Sequence, residues 1–130
     1  MQEHIQNELA SFIANCDWEK IAPHFKEDAA YRVLDWIGCA VAGEHYPQVE
    51  IAQKYFIENG DQGNSTVIGH QTKCSPRTAA FLNGIAGHVC ELDDGHRTAI
   101  GHPGSIAVPT ALALGEHLNA SGADVLKAVI

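Results

Sequence analysis

Between His88 and Ser105 the chain places three carboxylates (Glu91, Asp93, Asp94), three histidines (His88, His96, His102), Arg97 and Thr98 within eighteen residues. No other stretch holds proton donors and proton acceptors so densely. Imidazoles exchange protons near neutral pH. Clustered carboxylates repel, so at least one of the three is expected to hold its proton more tightly than usual. His102 lies just before a helix start, Pro103-Gly104-Ser105, whose free amides can hold a carboxylate. Arg97 can add a bidentate contact to the same anion. His88 and Glu91 are three apart and share one face of a helix end. The inventory suits abstraction of a proton next to a carboxylate, followed by loss of a leaving group or by re-protonation.

Two other readings of the same residues stay open. His88, Glu91, Asp93, Asp94, His96 and His102 offer nitrogen and oxygen ligands suited to zinc, iron or manganese. No fixed-spacing motif such as H-E-x-x-H accompanies them, and no metal is expected. The structural reading makes Asp93-Asp94-Gly95 a turn, pairs Arg97 with Asp93 or Asp94, and uses His102-Pro103 to cap a helix. Taken singly, each histidine is more often structural than catalytic.

Rigid elements must position this stretch, and the pattern predicts helices on both sides of it. Ile5, Leu9, Phe12 and Ile13 have helical spacing over Gln2 to Asn15. Pro23 suits the first turn of a long helix from His24 to Ala42, stopped by Gly43. Phe25, Ala29, Val33, Trp36, Ile37, Ala40 and Val41 give that helix a broad apolar face, predicting a central element covered on two sides. Asp35, among these apolar neighbours, is expected at the edge of the buried face, bonded to a neighbouring helix. Val49 to Phe56 makes a third helix, ended by Asn59-Gly60. Ser65 to Gly69 is the one plausible strand, an isolated piece or a hairpin arm.

Ser75-Pro76 opens a helix expected to run to about Glu91 or Leu92. Gly84 and Gly87 weaken that helix, and their benefit is close approach of another helix or a ligand. Ser105 to Leu118 is a further helix, with Pro109 in its first turn or kinking it. Ser121 to Asp124 has capping-box spacing and opens Val125 to Ile130. The fold class is therefore all-α, with at most one short strand or hairpin near residues 65–69.

The chain has 130 residues, 45% apolar and 18% charged, which are globular values for one ordinary domain. A net charge of −8 argues against nucleic acid and anionic membranes as partners. A small anionic substrate needs only a few local cations or amides. Cys16, Cys39, Cys74 and Cys90 are too widely spaced for a disulfide framework. The first residues lack the basic and apolar runs of a signal peptide. No segment approaches the roughly 20 apolar residues of a membrane span. A reducing, cytoplasmic setting is the expectation.

The order of several short motifs resembles the MmgE/PrpD family, which includes 2-methylcitrate dehydratase and cis-aconitate decarboxylase. The motifs are Asp17-Trp18, Leu34-Asp35-x-Ile37-Gly38-Cys39-Ala40, Thr66-Val67-Ile68-Gly69, Asn83-Gly84 with His88, Gly87 to His96, Gly101-His102-Pro103-Gly104 and Ala120-Ser121-Gly122. The resemblance implies a large helical domain carrying the active site and a smaller α/β domain further along. It implies lyase or isomerase chemistry on small di- or tricarboxylates, without metal or organic cofactor, in homodimers. The family's acidic pattern, like Asp-Phe-Asp-Asp-Thr, falls on Glu91-Leu92-Asp93-Asp94-Gly95, and its histidine before Pro falls on His102. Glu91 replaces the leading Asp and Gly95 replaces the Thr.

The candidate catalytic residues are thus Glu91, Asp93 and His102. The candidate substrate contacts are Asp94, His96, Arg97 and His88. Family members are several hundred residues long, with further catalytic histidines and a lysine beyond residue 130. Residues 1–130 are therefore expected to be a partial N-terminal helical domain, truncated at its C-terminus and inactive alone. The apolar ending Ala128-Val129-Ile130 agrees with a continuation or a docking partner. The alternative is a non-catalytic helical fragment or assembly module whose acidic and histidine-rich loop is structural.

Overall fold

The computed structural model describes residues 2–130. Among them are six α-helices: α1 (Gln2–Ala14), α2 (Pro23–Gly43), α3 (Pro47–Glu58), α4 (Pro76–His88), α5 (Gly104–Leu118) and α6 (Gly122–Val129). A 3₁₀ turn, Trp18–Lys20, joins α1 to α2. Strand β1 (Ser65–Thr66) pairs antiparallel with β2 (Lys73–Cys74), with Ser65 opposite Cys74 and Thr66 opposite Lys73. The fold is all-helical apart from this hairpin, as the sequence pattern predicts. No helix among the described residues is long and apolar enough to cross a membrane. All four cysteines are free thiols.

The capping signals act as their chemistry requires. Ser75 Oγ accepts the Thr78 amide and Pro76 fills the first turn of α4. Ser121 Oγ accepts the Asp124 amide at 3.2 Å and donates to the Asp124 carboxylate at 2.7 Å, so Asp stands in for the Glu of a capping box. α4 stops at His88, three residues before the expected Glu91. Glu91 adopts φ +53°, the left-handed region, which ends any helix.

α4 is the hub. It packs on α2, α3, α5 and both strands. Trp36 and Ala40 of α2, Val49 of α3, Ala86 of α4 and Val108 of α5 form one buried cluster. Val67, Cys74, Ala79, Leu82 and Ala113 form a second, beside the hairpin. The two helix-weakening glycines of α4 sit where neighbours come closest. A Cβ on Gly87 would collide with the Trp36 indole, and one on Gly84 would sit 3.1 Å from the Ser105 carbonyl of α5. That carbonyl lies four residues before Pro109, which has no N–H to give it. The close approach seen at both glycines is helix to helix.

Buried Asn83 ties the hairpin to α4. Its amide group donates to the Thr66 carbonyl at 2.9 Å and its carbonyl accepts the Ile68 amide at 2.8 Å. It thereby adds two hydrogen bonds to a hairpin whose paired strands are only two residues long. Glu116 of α5 holds the other side, accepting from the Thr66 amide at 2.5 Å, the Thr66 hydroxyl at 2.7 Å and Lys73. Burial pushes the Glu116 carboxyl up, but these donors bring it below the ordinary carboxylate range.

Two expectations fail. α2 is not covered on two sides: Phe25, Leu34 and Val41 are exposed, because only α4, α5 and α6 pack on it with any extent. Asp35 is exposed and lines a cleft with Tyr31, Arg32 and Asp94, so its polarity belongs to solvent and not to a helix contact. The apolar stripe of α1 (Ile5, Leu9, Phe12, Ile13) is also open, each residue at least 61% exposed. Of the stripe, Phe12 borders a groove that Ile21, Phe25 and Ile130 also line.

Replacing Asn83 by Ala leaves two backbone groups of the hairpin without partners. Asn83→Ala should lower unfolding free energy by about 1–3 kcal/mol in urea titrations. A midpoint equal to that of the parent chain would show that Asn83 does not anchor the hairpin.

Candidate active site

The end of α4 and the start of α5 carry the two imidazoles that meet. His88 is the last residue of α4, and His102 stands two residues before α5. Their rings are 4.6 Å apart, edge to face. The loop between them is turned by the left-handed residues Glu91 and Ile100 and by a bridge in which the His96 amide donates to the Gly101 carbonyl at 2.8 Å. Non-glycine residues in that region cost of order 1–3 kcal/mol each and persist where the surroundings impose them.

Asp93 lies under both rings. Its side chain is fully buried, with Oδ1 3.1 Å from His88 Nδ1 and 3.4 Å from His102 Nδ1. Ser105 donates its hydroxyl to Asp93 Oδ2 at 2.5 Å, and the Trp36 indole N–H donates to Ser105 Oγ at 3.3 Å. Burial alone raises the Asp93 carboxyl. The Ser105 hydroxyl, then His88, outweigh it and hold Asp93 below the ordinary carboxylate range. The expectation of a carboxylate that clings to its proton is reversed at Asp93, because donors and not like charges surround it.

An ionised Asp93 fixes the tautomers. The His88 Nδ1 must carry hydrogen to meet a carboxylate, which leaves Nε2 as the acceptor. His102 Nδ1 is buried, makes no hydrogen bond, and lies 3.4 Å from Asp93 Oδ1, where a hydrogen on the nitrogen is favoured over a lone pair facing the carboxylate. Both Nε2 atoms face Glu91: its carboxylate is 3.4 Å from that of His88 and 4.0 Å from that of His102. Glu91 is exposed, so the cluster runs from a buried anion through two imidazoles to a solvent-facing carboxylate. An apolar hollow of ≈ 630 Å³ opens beside it, walled by Phe81, Ile85, Val89, Ile106 and Pro109.

The other predicted site residues divide. His96 and Arg97 line a shallow hollow of ≈ 380 Å³ together with His102, so they share a surface with the cluster. His96 Nδ1 accepts the Ala99 amide at 3.0 Å. Arg97 makes no ion pair with Asp93 or Asp94 among the described residues, contrary to the structural reading. Asp94 turns away from the imidazoles: its Oδ1 accepts the Gly104 amide at 2.9 Å. The anion held at the start of α5 is thus the chain's own side chain. Ser105 and Trp36 were missed as site residues. The signal for Ser105 was its position just after His-Pro-Gly; Trp36 carried only an apolar pattern.

The MmgE/PrpD N-terminal domain matches residues 7–130. The chain belongs to the MmgE/PrpD family. A cis-aconitate decarboxylase-like protein, oryM, of Aspergillus oryzae is 31% identical over 98% of this chain and 28% of its own length. Human cis-aconitate decarboxylase is 34% identical over 74% of this chain and 21% of its own length. The chain therefore spans less than a third of the curated relatives it matches. Within this MmgE/PrpD domain the cluster of His88, Glu91, Asp93 and His102 is built entirely from the α4 end, the α5 start and the loop between them.

The lowered Asp93 sets a pH dependence. Its contribution to stability is complete above the unfolded-state value of about 3.9 and is lost as pH falls through the lower folded-state value. At neutral pH Asp93→Asn should cost about 1–3 kcal/mol. The difference between the two proteins should narrow below about pH 4 in urea titrations. A difference that stays constant into acid would mean Asp93 is not the ionised anchor.

Proposed function

We propose that the chain supplies the acid–base part of a carboxylate lyase or isomerase site, acting without a cofactor on small di- or tricarboxylates. The observation that carries this reading is Asp93 shared between two imidazoles whose Nε2 atoms face the open side. A buried carboxylate behind an imidazole orients it and favours the positive charge it gains as a base. Glu91 at the rim can take up or return a proton at the same place. Asp93 is then a positioning residue, and His102, His88 and Glu91 are the groups in reach of a reacting atom.

In an elimination, an imidazole Nε2 takes the proton from the carbon next to a carboxylate. The electron pair forms the double bond and expels a β-hydroxyl, which leaves as water on receiving a proton from Glu91 or the second imidazolium. In a decarboxylation, the bond to the departing carboxylate breaks and carbon dioxide leaves. The electron pair stays on the carbon until the imidazolium returns a proton there. The similarity to cis-aconitate decarboxylases supports the second form. The family likeness supports both. Arg97, on the hollow that also includes His102, is the cation placed to hold a substrate carboxylate. The homodimer and the cytoplasmic setting belong to the same proposal.

A structural reading of the loop is favoured by one observation: Asp94 and Asp93 both make bonds that join the loop to α5. A titration of the chain with cis-aconitate and with 2-methylcitrate, followed by the imidazole resonances in NMR, separates the two. The lyase reading expects His88 and His102 to shift in a saturable way, and His102→Gln or Arg97→Gln to weaken the response about tenfold or more. No net turnover is expected from residues 1–130. Silent imidazoles would leave the structural reading standing, and product formation by the chain would overturn the claim that the site is incomplete.

A further inference from the structure

The imidazole pair and Glu91 carry a consequence beyond acid–base chemistry. With Nδ1 of each ring directed at Asp93, each Nε2 presents a lone pair towards Glu91. Three acceptors then face one another, and one ligand atom each from His88, Glu91 and His102 lie within 4.8 Å of one another. Three acceptors so placed repel unless a cation lies among them. A proton is one such cation; a divalent metal ion is the other.

We propose that His88 Nε2, Glu91 and His102 Nε2 form a binding site for one divalent transition metal ion, with Zn²⁺ the best fit. The donor set is two imidazoles and one carboxylate, which leaves a fourth position open to solvent. Zinc binds such atoms at about 2.0–2.2 Å, so tetrahedral ligand atoms sit roughly 3.4 Å apart. His88 Nε2 lies 3.4 Å from Glu91 Oε1 and His102 Nε2 lies 4.0 Å from Glu91 Oε2. One ligand atom from each of the three residues lies within 4.8 Å of the others, so closing on one ion takes a rotation of the exposed Glu91 carboxylate and a small approach of the rings. The outer shell is also present. Ligating histidines give their other N–H to a carboxylate, which fixes the ring and strengthens the donor. Here buried Asp93 is hydrogen-bonded to His88 Nδ1 and lies 3.4 Å from His102 Nδ1, and Ser105 and Trp36 fix Asp93 in turn.

The ion uses the lone pairs that a base needs. Metal binding and proton abstraction at this cluster therefore exclude each other, and the ion acts as a blocker of the chemistry above, not as its helper. The proposal uses the same side chains as the lyase reading but does not depend on it.

Calorimetric titration of the chain with ZnCl₂, paired with visible absorption of a Co²⁺-loaded sample, tests it directly. One ion per chain is expected, bound through nitrogen and oxygen. Glu91→Gln, which alters an exposed side chain, should weaken binding about tenfold or more, and Asp93→Asn about 10–100-fold. The double variant His88→Gln/His102→Gln should abolish binding, while His45→Gln should leave it unchanged. Far-UV circular dichroism checks that each variant keeps its helices. The proposal fails if the parent chain takes up no zinc. It also fails if Glu91→Gln and the double variant bind as the parent does, or if the Co²⁺ spectrum shows thiolate bands that place the ion on a cysteine. None of these outcomes bears on the NMR response to carboxylates.

Discussion

A carboxylate leaves water only where other donors replace the water, and Asp93 is buried on that condition. Its oxygens meet His88 from the end of α4, His102 from the approach to α5, and Ser105 from the first turn of α5. Ser105 in turn accepts from Trp36, the large residue in the core of α2. One charge thus ties together three helices and the loop that joins two of them. Each tie also aims a functional group: His88 Nδ1 bonds Asp93 and His102 Nδ1 lies against it, so both rings turn Nε2 outward. Remove the charge, and neither imidazole has a reason to keep its tautomer or its direction.

The packing around this anchor explains why the two helices come close enough to share it. Gly87 admits the Trp36 ring, and Gly84 admits the backbone of α5 near Ser105. Larger residues at either place would push α2 or α5 away from α4, and the indole–serine–aspartate line would break. The helix weakening caused by two glycines is offset by the packing of α4 at the centre of the structure. Asp94 contributes from the other side. By satisfying the Gly104 amide it fixes where α5 begins, and hence where Ser105 points.

How much of this could be read from the residues depends on how local the cause is. Helix starts at Ser75-Pro76 and Ser121 were legible, because a cap needs only its own few residues. The dense polar loop was legible as a site, and its neighbours Glu91, His88 and His102 do meet. The division of labour inside it was not. Adjacent Asp93 and Asp94 look alike in sequence; one is buried beneath two rings and the other caps a helix, and only the path of the loop separates them. The early end of α4 depends on the backbone of Glu91, a residue with no intrinsic preference for that conformation. Asp35 and the outer face of α2 misled because periodicity reports which face is apolar, not which neighbours exist to cover it.

The open stripe on α1 has an outcome for how the chain comes apart. The core holds α2, α4 and α5 in one cooperative body, whereas α1 has few contacts beyond its own helical bonds. Its amides should exchange with solvent at a lower free energy than those of α4, as separate units do when little apolar area links them. A far-UV signal, which counts every helix, would then begin to fall before a probe of the packing around Trp36 does. No single melting temperature describes such a molecule.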